Sequence, residues 1–205
     1  MPVKVLEIIG MSYTLHMLIF GLGNPGDEYL KTRHNAGFLF ADYLYGCLEV
    51  QKSWQFDKYI NAETSTLVLP LDNGSKNIIN VFKPQTFMNM SGSTVSKVLE
   101  RYKNTKPQDI YVAHDDLDIL LGDFKVTFGK GPKKHNGLIS ISDKLSSQEF
   151  YRIRVGVENR QGNLISGQDF VLSNFKTAEL ETLNNIVFSK IIEVLKETVS
   201  LGIRK

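Results

Sequence analysis

Residues 18–37 read LIFGLGNPGDEYLKTRHNAG, and the rest of the chain is best understood from this stretch. The apolar run over residues 17–22 has the length of a strand and predicts one that is buried on both faces. A tight turn with Asn24 follows, and His34 comes just before a helical pattern over residues 38–48. We therefore expect Asn24 at the end of a strand and His34 at the start of a helix, with both side chains in one cleft.

The composition is that of an ordinary globular protein. Of the 205 residues, 42% are hydrophobic and 22% are charged, which is enough for one domain with a substantial core. We place this domain at residues 17–205, after an extension at residues 1–16. Cys47 is the only cysteine, so an internal disulfide and a multi-cysteine zinc site are excluded, and a reducing compartment is expected. Its place on the apolar face of the predicted helix indicates a buried side chain.

Strands and helices alternate along the chain, which favours a single α/β domain with a mixed sheet. The strand patterns lie at residues 17–22, 66–71, 77–82, 110–113, 122–128 and 151–157. The helical patterns lie at residues 38–48, 93–102, 138–145 and 177–201. The acidic stretch at residues 114–118 is expected to form a turn that ends the fourth of these strands.

The glycines of residues 21–26 also satisfy the G-x-G-x-x-G pattern of dinucleotide-binding turns. Pro25 stiffens this turn, and Asp42 falls inside the predicted helix rather than at the end of a second strand. The context of a Rossmann site is therefore weak. A nucleotide-dependent oxidoreductase remains an alternative, and it predicts that the protein binds a dinucleotide.

Three of the four histidines lie at the ends of predicted elements, beside polar residues: His34, His114 and His135. A histidine with a carboxylate in reach is a common general base, because its pKa of about 6.5 lies near physiological pH. The following run at residues 115–118 holds three aspartates. These could bind Mg²⁺, or one could orient a histidine while the others face solvent, and we favour the second interpretation.

Asparagines recur at the predicted loop ends and indicate a site for a neutral polar group. A side-chain amide both donates and accepts hydrogen bonds, which suits a carbonyl or a peptide unit. The G-x-S-x-G pattern of a serine nucleophile does not occur, so direct attack by water is favoured over a covalent intermediate. The asparagines concerned are Asn24, Asn35, Asn89 and Asn136.

Lysines cluster in one part of the chain, although the net charge is only +2. Four of them lie within ten acid-free residues, at positions 125–134, and a local basic surface of this kind attracts phosphates. The alternative is a solvated loop. No apolar run is long enough to span a membrane, and residues 1–16 resemble neither a secretory signal nor an Arg-rich presequence. We therefore expect a location inside the cell, in the cytoplasm or the mitochondrion.

Four segments together resemble the bacterial-type peptidyl-tRNA hydrolases: GLGNPGDEYLKTRHNAG at residues 21–37, KPQTFMNMSG at 83–92, VAHDDLD at 112–118 and HNG at 135–137. Their order and spacing agree over nearly the whole chain from Met17 onward. The resemblance implies a single α/β domain with a mixed, mostly parallel twisted sheet flanked by helices. It also implies hydrolysis of the ester between a peptide's carboxyl group and the 3′-terminal ribose of tRNA, with no metal and no other cofactor.

The resemblance further implies roles for individual residues. His34 is similar to the general base that activates water, and Asp115 is similar to the carboxylate that orients this base. Asn24 resembles an amide that positions the ester. The residues that match the family's substrate-binding positions are Tyr29, Met88, Asn89, His135 and Asn136.

The chain departs from the family in the loop before HNG, which is commonly glycine-rich but reads GKGPKKHNG here. We expect its lysines to contact tRNA phosphates in a salt-sensitive, sequence-independent way. The expected tRNA-binding residues are Lys125, Lys130, Lys133, Lys134 and Arg154. The protein is expected to be a monomer that binds peptidyl-tRNA and no membrane. The alternative on the same fold is a non-catalytic RNA-binding protein of the splicing type.

Overall fold

The computed structural model describes residues 16–132, 134–162 and 164–200. This part of the chain forms one seven-stranded sheet with the order β2-β3-β4-β1-β5-β7-β6. The strands are β1 (His16–Gly21), β2 (Glu49–Asp57), β3 (Ala62–Pro70), β4 (Lys76–Pro84), β5 (Ile110–Leu120), β6 (Phe124–Phe128) and β7 (Tyr151–Glu158). Strands β4, β1, β5 and β7 are mutually parallel, while β2, β3 and β6 add antiparallel edges. The expected mixed α/β sheet is therefore confirmed.

Helices cover both faces of the sheet. They are α1 (Ala36–Cys47), α2 (Ser91–Arg101), α3 (Asn136–Leu145), α4 (Gly167–Leu172), α5 (Thr177–Thr182) and α6 (Phe188–Ser200). On one face α1 and α6 pack against the core through Phe40 and Phe188, whose rings lie 5.4 Å apart. On the other face α2 and α3 contribute Val95 and Ile141 to a second core cluster. None of the helices in the described residues has the length and apolar character needed to cross a membrane.

The long helical pattern at residues 177–201 is confirmed up to residue 200 as a continuous helical stretch, and residue 201 lies outside the described residues. Helix α5 passes into a π-helical turn, Leu183–Val187, which leads directly into α6. The predicted apolar stripe faces the core, because Leu183, Val187 and Leu195 are fully buried. Burial of such a stripe on the sheet supplies most of the stability of a surface helix.

The glycines at and just after the end of β1 allow β1 and α1 to pack closely. A Cβ atom on Gly21 would lie within 3.0 Å of the Gly37 carbonyl group, and one on Gly23 would meet the Phe38 ring. Gly26 has φ +118°, a backbone conformation that favours glycine. These contacts give the G-x-G-x-x-G pattern a structural cause that needs no dinucleotide.

Three expectations from the sequence are wrong. Asp116 does not face solvent, because it is 1% exposed and bonds to Arg154. The stretch at residues 114–118 is not a turn, because β5 runs on to Leu120 and pairs with β7 up to Asp116 and, after an irregularity, again at Leu120. The polar side chains there are buried against histidine and arginine partners, so the strand continues despite its charges. Cys47 is exposed rather than buried, because it ends α1 where the chain leaves the core for the edge strand β2.

The sheet topology brings several loop ends together beside β1. The chain runs from β4 on one side of β1 to β5 on the other, and ligands bind at the carboxyl ends of strands where the strand order reverses in this way. The expected start of the domain at residue 17 lies one residue inside β1. The expected extension, apart from its last residue, lies outside the described residues.

Candidate active site

An open cavity of about 940 Å³ lies at the carboxyl ends of β1, β4 and β5. Asn24 follows β1, Met88 and Asn89 follow β4, and Asp115 lies within β5. The starts of α1 and α3 face the same cavity, and His34 comes just before α1 on a 3₁₀ turn, Arg33–Asn35. The site is thus assembled from segments that are far apart in sequence.

His34 and Asp115 form the central contact of the site. Nδ1 of His34 lies 2.8 Å from Oδ1 of Asp115, and both residues line the cavity. A carboxylate accepts hydrogen bonds, so Nδ1 of His34 carries the ring proton and donates a hydrogen bond to Asp115. Nε2 of His34 then has a free lone pair, which is the state required of a general base.

His135 holds the same carboxylate oxygen from the other side. Its Nε2 lies 3.0 Å from Oδ1 of Asp115, and its Nδ1 accepts a hydrogen bond of 3.4 Å from the Leu138 amide at the start of α3. The amide fixes Nδ1 as the acceptor and therefore Nε2 as the donor. Both ring nitrogens of this buried histidine are therefore occupied within the protein.

His114 completes a cluster of three imidazole rings around Asp115. Its ring centroid lies 4.8 Å from that of His135, which in turn lies 5.1 Å from that of His34. Nδ1 of His114 donates to the backbone carbonyl of Asp115 at 2.7 Å. Its Nε2 is buried without a hydrogen-bond partner among the described residues.

The surroundings of the cluster shift the pKa values of His34 and His114 in opposite directions. Burial lowers the pKa of His34, but the negative charge of Asp115 and the hydrogen bond to it outweigh burial, and the pKa of His34 is raised above 6.5. Burial is the main cause that lowers the pKa of His114 to about 3, so His114 stays neutral. Burial raises the pKa of Asp115, but the two histidines outweigh it and the carboxyl group is ionised far below its usual range.

Asn24 is held in a fixed orientation by two neighbours. Its backbone N–H and carbonyl group bond to the Asn35 side chain at 2.8 and 3.0 Å. Its side-chain oxygen accepts from the Met88 amide at 2.8 Å. Because that oxygen is occupied, the NH₂ group of Asn24 is the part of its side chain that can bind a ligand, and it can only donate.

The other expected substrate-binding residues differ in their positions. Met88 is buried at the cavity wall, whereas Asn89 and Asn136 are exposed and line the cavity. The side-chain amides of Asn89 and Asn136 make no hydrogen bond with any described residue. Tyr29 lies on the 3₁₀ turn Asp27–Tyr29 and is not among the described residues that line the cavity. These roles stay predictions.

The expected phosphate-binding cations lie along the β6–β7 edge and the loop that follows β6. Lys125, on β6, and Lys130 and Lys134, in the loop, are exposed. Lys133 lies outside the described residues. Arg154 is mostly buried, and its Nε donates to Asp116 at 2.6 Å, so its charge is partly neutralised inside the protein.

A group of three potential metal ligands occurs in the site. Nδ1 of His34, Oδ1 of Asp115 and Nε2 of His135 lie within 4.8 Å of one another. The same atoms form the two hydrogen bonds to Asp115, so a metal ion would have to displace both N–H protons. The expectation of a reaction without a metal stays a prediction. Asp116 is not free for Mg²⁺, since its two oxygens bind Arg154 and the Asp118 amide.

Several residues of the site were missed by the sequence analysis. Helix α4 forms one wall of the cavity through Gln168, Val171 and Leu172, and the exposed Phe87 lies at another wall. The short run of residues 167–172 has no clear helical pattern by which to recognise α4. The Ser166 side chain caps this helix by accepting from the Asp169 amide, and this capping pattern was the available signal.

The chain is similar to known proteins in both sequence and structure. A family model described as peptidyl-tRNA hydrolase matches residues 18–205. The chain is 40% identical to the peptidyl-tRNA hydrolase of Maridesulfovibrio salexigens over 163 residues, which cover 80% of this chain and 78% of the relative. It is 37% identical to the one of Citrifermentans bemidjiense, with 92% and 94% covered. The crystal structure of peptidyl-tRNA hydrolase from Acinetobacter baumannii superposes with a TM-score of 0.74 at 28% identity, covering 94% of both chains.

Proposed function

The chain belongs to the peptidyl-tRNA hydrolase family, and we propose that it hydrolyses the ester bond of peptidyl-tRNA with water activated by His34. The observation that carries this proposal is the 2.8 Å contact between Nδ1 of His34 and Oδ1 of Asp115 at the cavity. It leaves Nε2 as the free basic nitrogen. The ester links the peptide's carboxyl carbon to an oxygen of the 3′-terminal ribose.

In the first step Nε2 of His34 removes a proton from water, and the water oxygen bonds to the ester carbonyl carbon. The imidazolium that forms is stabilised by ionised Asp115, in the manner of a histidine–carboxylate pair. General-base assistance of this kind typically supplies about 10²- to 10⁴-fold. The rest must come from positioning of the ester and of the water.

The NH₂ group of Asn24 is suited to the carbonyl oxygen of the ester. Negative charge grows on that oxygen as water attacks, and a donor that is already held in place stabilises it without reorganisation. Asn24 meets this condition, because Met88 and Asn35 fix the orientation of its amide. The exposed amides of Asn89 and Asn136 are suited to the peptide backbone and the attacking water.

In the second step the tetrahedral intermediate collapses and the bond between the carbonyl carbon and the ribose oxygen breaks. His34 returns its proton to that oxygen, which leaves as the free ribose hydroxyl group of tRNA. The peptide leaves with a carboxyl group that contains the water oxygen. His34 is neutral again, so the cycle needs no other reactant.

Exposed lysines beside the cavity are suited to the tRNA phosphates. Lys134 lines the cavity, Lys130 lies in the same loop, and Lys125 on β6 pairs with Arg154 on β7. We include Lys133 with them. Arg154 contributes through guanidinium nitrogens that Asp116 leaves free. Contacts of this kind would position the acceptor end without reading its sequence.

The remaining expectations belong to the same proposal. We take residues 17–205 as one catalytic domain that acts as a monomer in the cytoplasm or the mitochondrion, without a membrane partner. The relatives named above are hydrolases and give no support to a non-catalytic RNA-binding role. The test is release of N-blocked amino acid or peptide from purified peptidyl-tRNA, with wild type and His34→Ala side by side. Activity that survives in the variant would overturn the role of His34.

A further inference from the structure

The 3₁₀ turn Arg33–Asn35 carries three successive side chains, and each binds a different segment of the chain. The middle one, His34, binds Asp115 on β5. The last one, Asn35, binds the backbone of Asn24 after β1. The first one, Arg33, binds neither strand, and the hydrolysis described above does not use it.

Arg33 is 4% exposed, and its two terminal nitrogens are bound by the segment after α4 and by Glu179 in α5. Its Nε is buried without a hydrogen-bond partner among the described residues. Its Nη2 donates to both carboxylate oxygens of Glu179, at 3.0 and 2.7 Å. Its Nη1 donates to the carbonyl oxygens of Ser173 and Asn174 and to the Ser173 hydroxyl group, at 3.2, 2.6 and 2.9 Å. Nη1 has two hydrogens for its three acceptors, so one hydrogen is shared between two of them, and Nη2 has one hydrogen for each oxygen of Glu179. A lysine ammonium group, with three hydrogens on one nitrogen, cannot reproduce this planar arrangement.

Aromatic rings and backbone contacts strengthen the same junction. The Arg33 guanidinium carbon lies 4.3 Å from the centre of the Phe170 ring and 5.1 Å from that of Phe175. The Arg33 amide donates to the Ser173 carbonyl oxygen at 3.1 Å, and Thr32 forms an isolated bridge with Asn174. The turn that carries His34 is therefore joined to the end of α4 by side chain and backbone together.

Glu179 is in turn held in place for this contact. Its Oε2 accepts from the Lys176 amide at 2.7 Å as part of a capping box at the start of α5. Its Oε1 accepts from the Asn159 side chain at 2.9 Å. The carboxylate is thus oriented before it meets Arg33, so the pair has one geometry rather than several.

We propose that Arg33 is a positioning residue for the hydrolysis, which fixes the turn bearing His34 through Glu179 and the carbonyl groups after α4. The proposal rests on the proposed function, in which His34 is the base. Arg33 is not among the described residues that line the cavity, so it acts through the placement of His34 and not on the substrate. Small displacements of a catalytic group are costly, because about 1 Å can lower a rate about 10²-fold.

The test compares Arg33→Lys and Glu179→Gln with wild type and with Arg101→Gln. Arg101 is the control, since it also pairs with a carboxylate, that of Asp57 at 2.6 Å, but it lies exposed on α2 and its partner is on β2. We expect kcat to fall about 10- to 100-fold in Arg33→Lys, with KM nearly unchanged, and to stay at the wild-type value in the control. A folded Arg33→Lys variant with wild-type kcat would overturn the proposal.

Two further measurements separate positioning from a loss of stability. The ring protons of His34 are titrated by NMR in each folded variant, and we expect the midpoint to move to lower pH as the hydrogen bond to Asp115 loosens. We also expect Arg33→Lys to cost much less activity in an Asp115→Asn background, because residues that act as a unit are not additive. An unchanged titration together with full additivity would mean that Arg33 only stabilises the fold.

Glu179→Gln decides the question if Arg33→Lys does not fold. Glutamine keeps one oxygen, which at the Oε2 position accepts from Arg33 and from the Lys176 amide. It removes the negative charge, and its NH₂ group replaces the oxygen that accepts from Asn159 and from Nη2 of Arg33. We expect a smaller fall in kcat in this variant and the same shift of the His34 titration. The titration needs no substrate. It therefore tests the placement of His34 even if wild type releases no peptide, in which case the proposed function alone fails.

Discussion

His34 lies 2.8 Å from Asp115, although 81 residues separate the two in sequence. The contact joins the start of α1 to the middle of β5 and fixes which ring nitrogen of His34 carries the proton. It also sets the pH at which the base becomes active, because ionised Asp115 favours the imidazolium form. The first two predictions concern the two members of this pair.

Replacing His34 by alanine removes the only ring nitrogen in the described cavity that is free to act as a base. We expect kcat to fall by about 10²- to 10⁴-fold, while the affinity for tRNA stays near that of wild type. The measurements are single-turnover release of the peptide and a filter-binding titration with deacylated tRNA. Loss of binding in parallel with loss of activity would show that the variant is misfolded or that His34 binds tRNA instead.

Replacing Asp115 by asparagine removes the charge that raises the pKa of His34. The base must be neutral to act, so kcat/KM falls below the pKa of His34 in the free enzyme, and the midpoint of the acid limb of the kcat/KM profile lies above pH 6.5 in wild type. We expect this limb to move to lower pH in Asp115→Asn, with a lower plateau because the ring is no longer oriented. Wild-type and variant profiles with the same midpoint would contradict the assignment.

The pair of His34 and Asp115 could be predicted from the sequence, but other parts of the site could not. His34 and Asn24 flank one turn beside a strongly apolar strand, and the family resemblance supplied Asp115. By contrast, Arg33 and Glu179 are 146 residues apart, and each reads as an ordinary surface charge. The course of β5 could not be predicted for a similar reason. A run of carboxylates is typical of a solvated turn, but here Arg154 binds Asp116 inside the protein, and such a partner is set by the tertiary structure.

His114 is expected to make the fold sensitive to acid. Its pKa is about 3 in the folded protein against about 6.5 in the unfolded chain, so the unfolded chain binds the extra proton between these values. Stability is then lost as pH falls below about 6.5, by up to roughly 1.4 kcal/mol per pH unit for this group. His34 affects stability in a separate pH range. Its raised pKa stabilises the folded protein below pH 6.5, and this stabilisation is lost as the pH rises through the pKa of His34 in the folded protein.

The variant His114→Asn tests this expectation. Asparagine keeps a donor for the Asp115 carbonyl group but has no titrating group. Denaturant unfolding is measured at several pH values between about 4 and 7, a range in which His114 takes up a proton in the unfolded chain but not in the folded protein. Stability should depend less on pH in the variant than in wild type. Two curves of equal slope would mean that other groups cause the acid sensitivity.

The lysines of the loop before α3 are expected to act by neutralising tRNA phosphates. We expect the double variant Lys130→Ala, Lys134→Ala to bind tRNA more weakly, and the slope of log affinity against log salt to fall by about 0.7 to 0.9 for each phosphate that is no longer neutralised. Lys52→Ala is the control, since this exposed lysine lies on β2 at the opposite edge of the sheet. An unchanged slope in the double variant would place the tRNA-binding surface elsewhere.

The close packing at the start of α1 gives a last prediction. Alanine substitutions at two glycines of this helix are expected to change stability in opposite directions. A Cβ atom on Gly37 would lie within 3.0 Å of the backbone of Ala113 and Leu22, whereas one on Gly46 would meet nothing within 4 Å. We expect Gly37→Ala to destabilise the fold by about 1 to 3 kcal/mol or more and to lower kcat, because the helix start moves together with His34. Gly46→Ala should instead raise stability by about 0.5 to 1 kcal/mol, since alanine restricts the unfolded chain more. Denaturant unfolding of both variants checks the contrast, and a stable Gly37→Ala protein would contradict the packing account of these glycines.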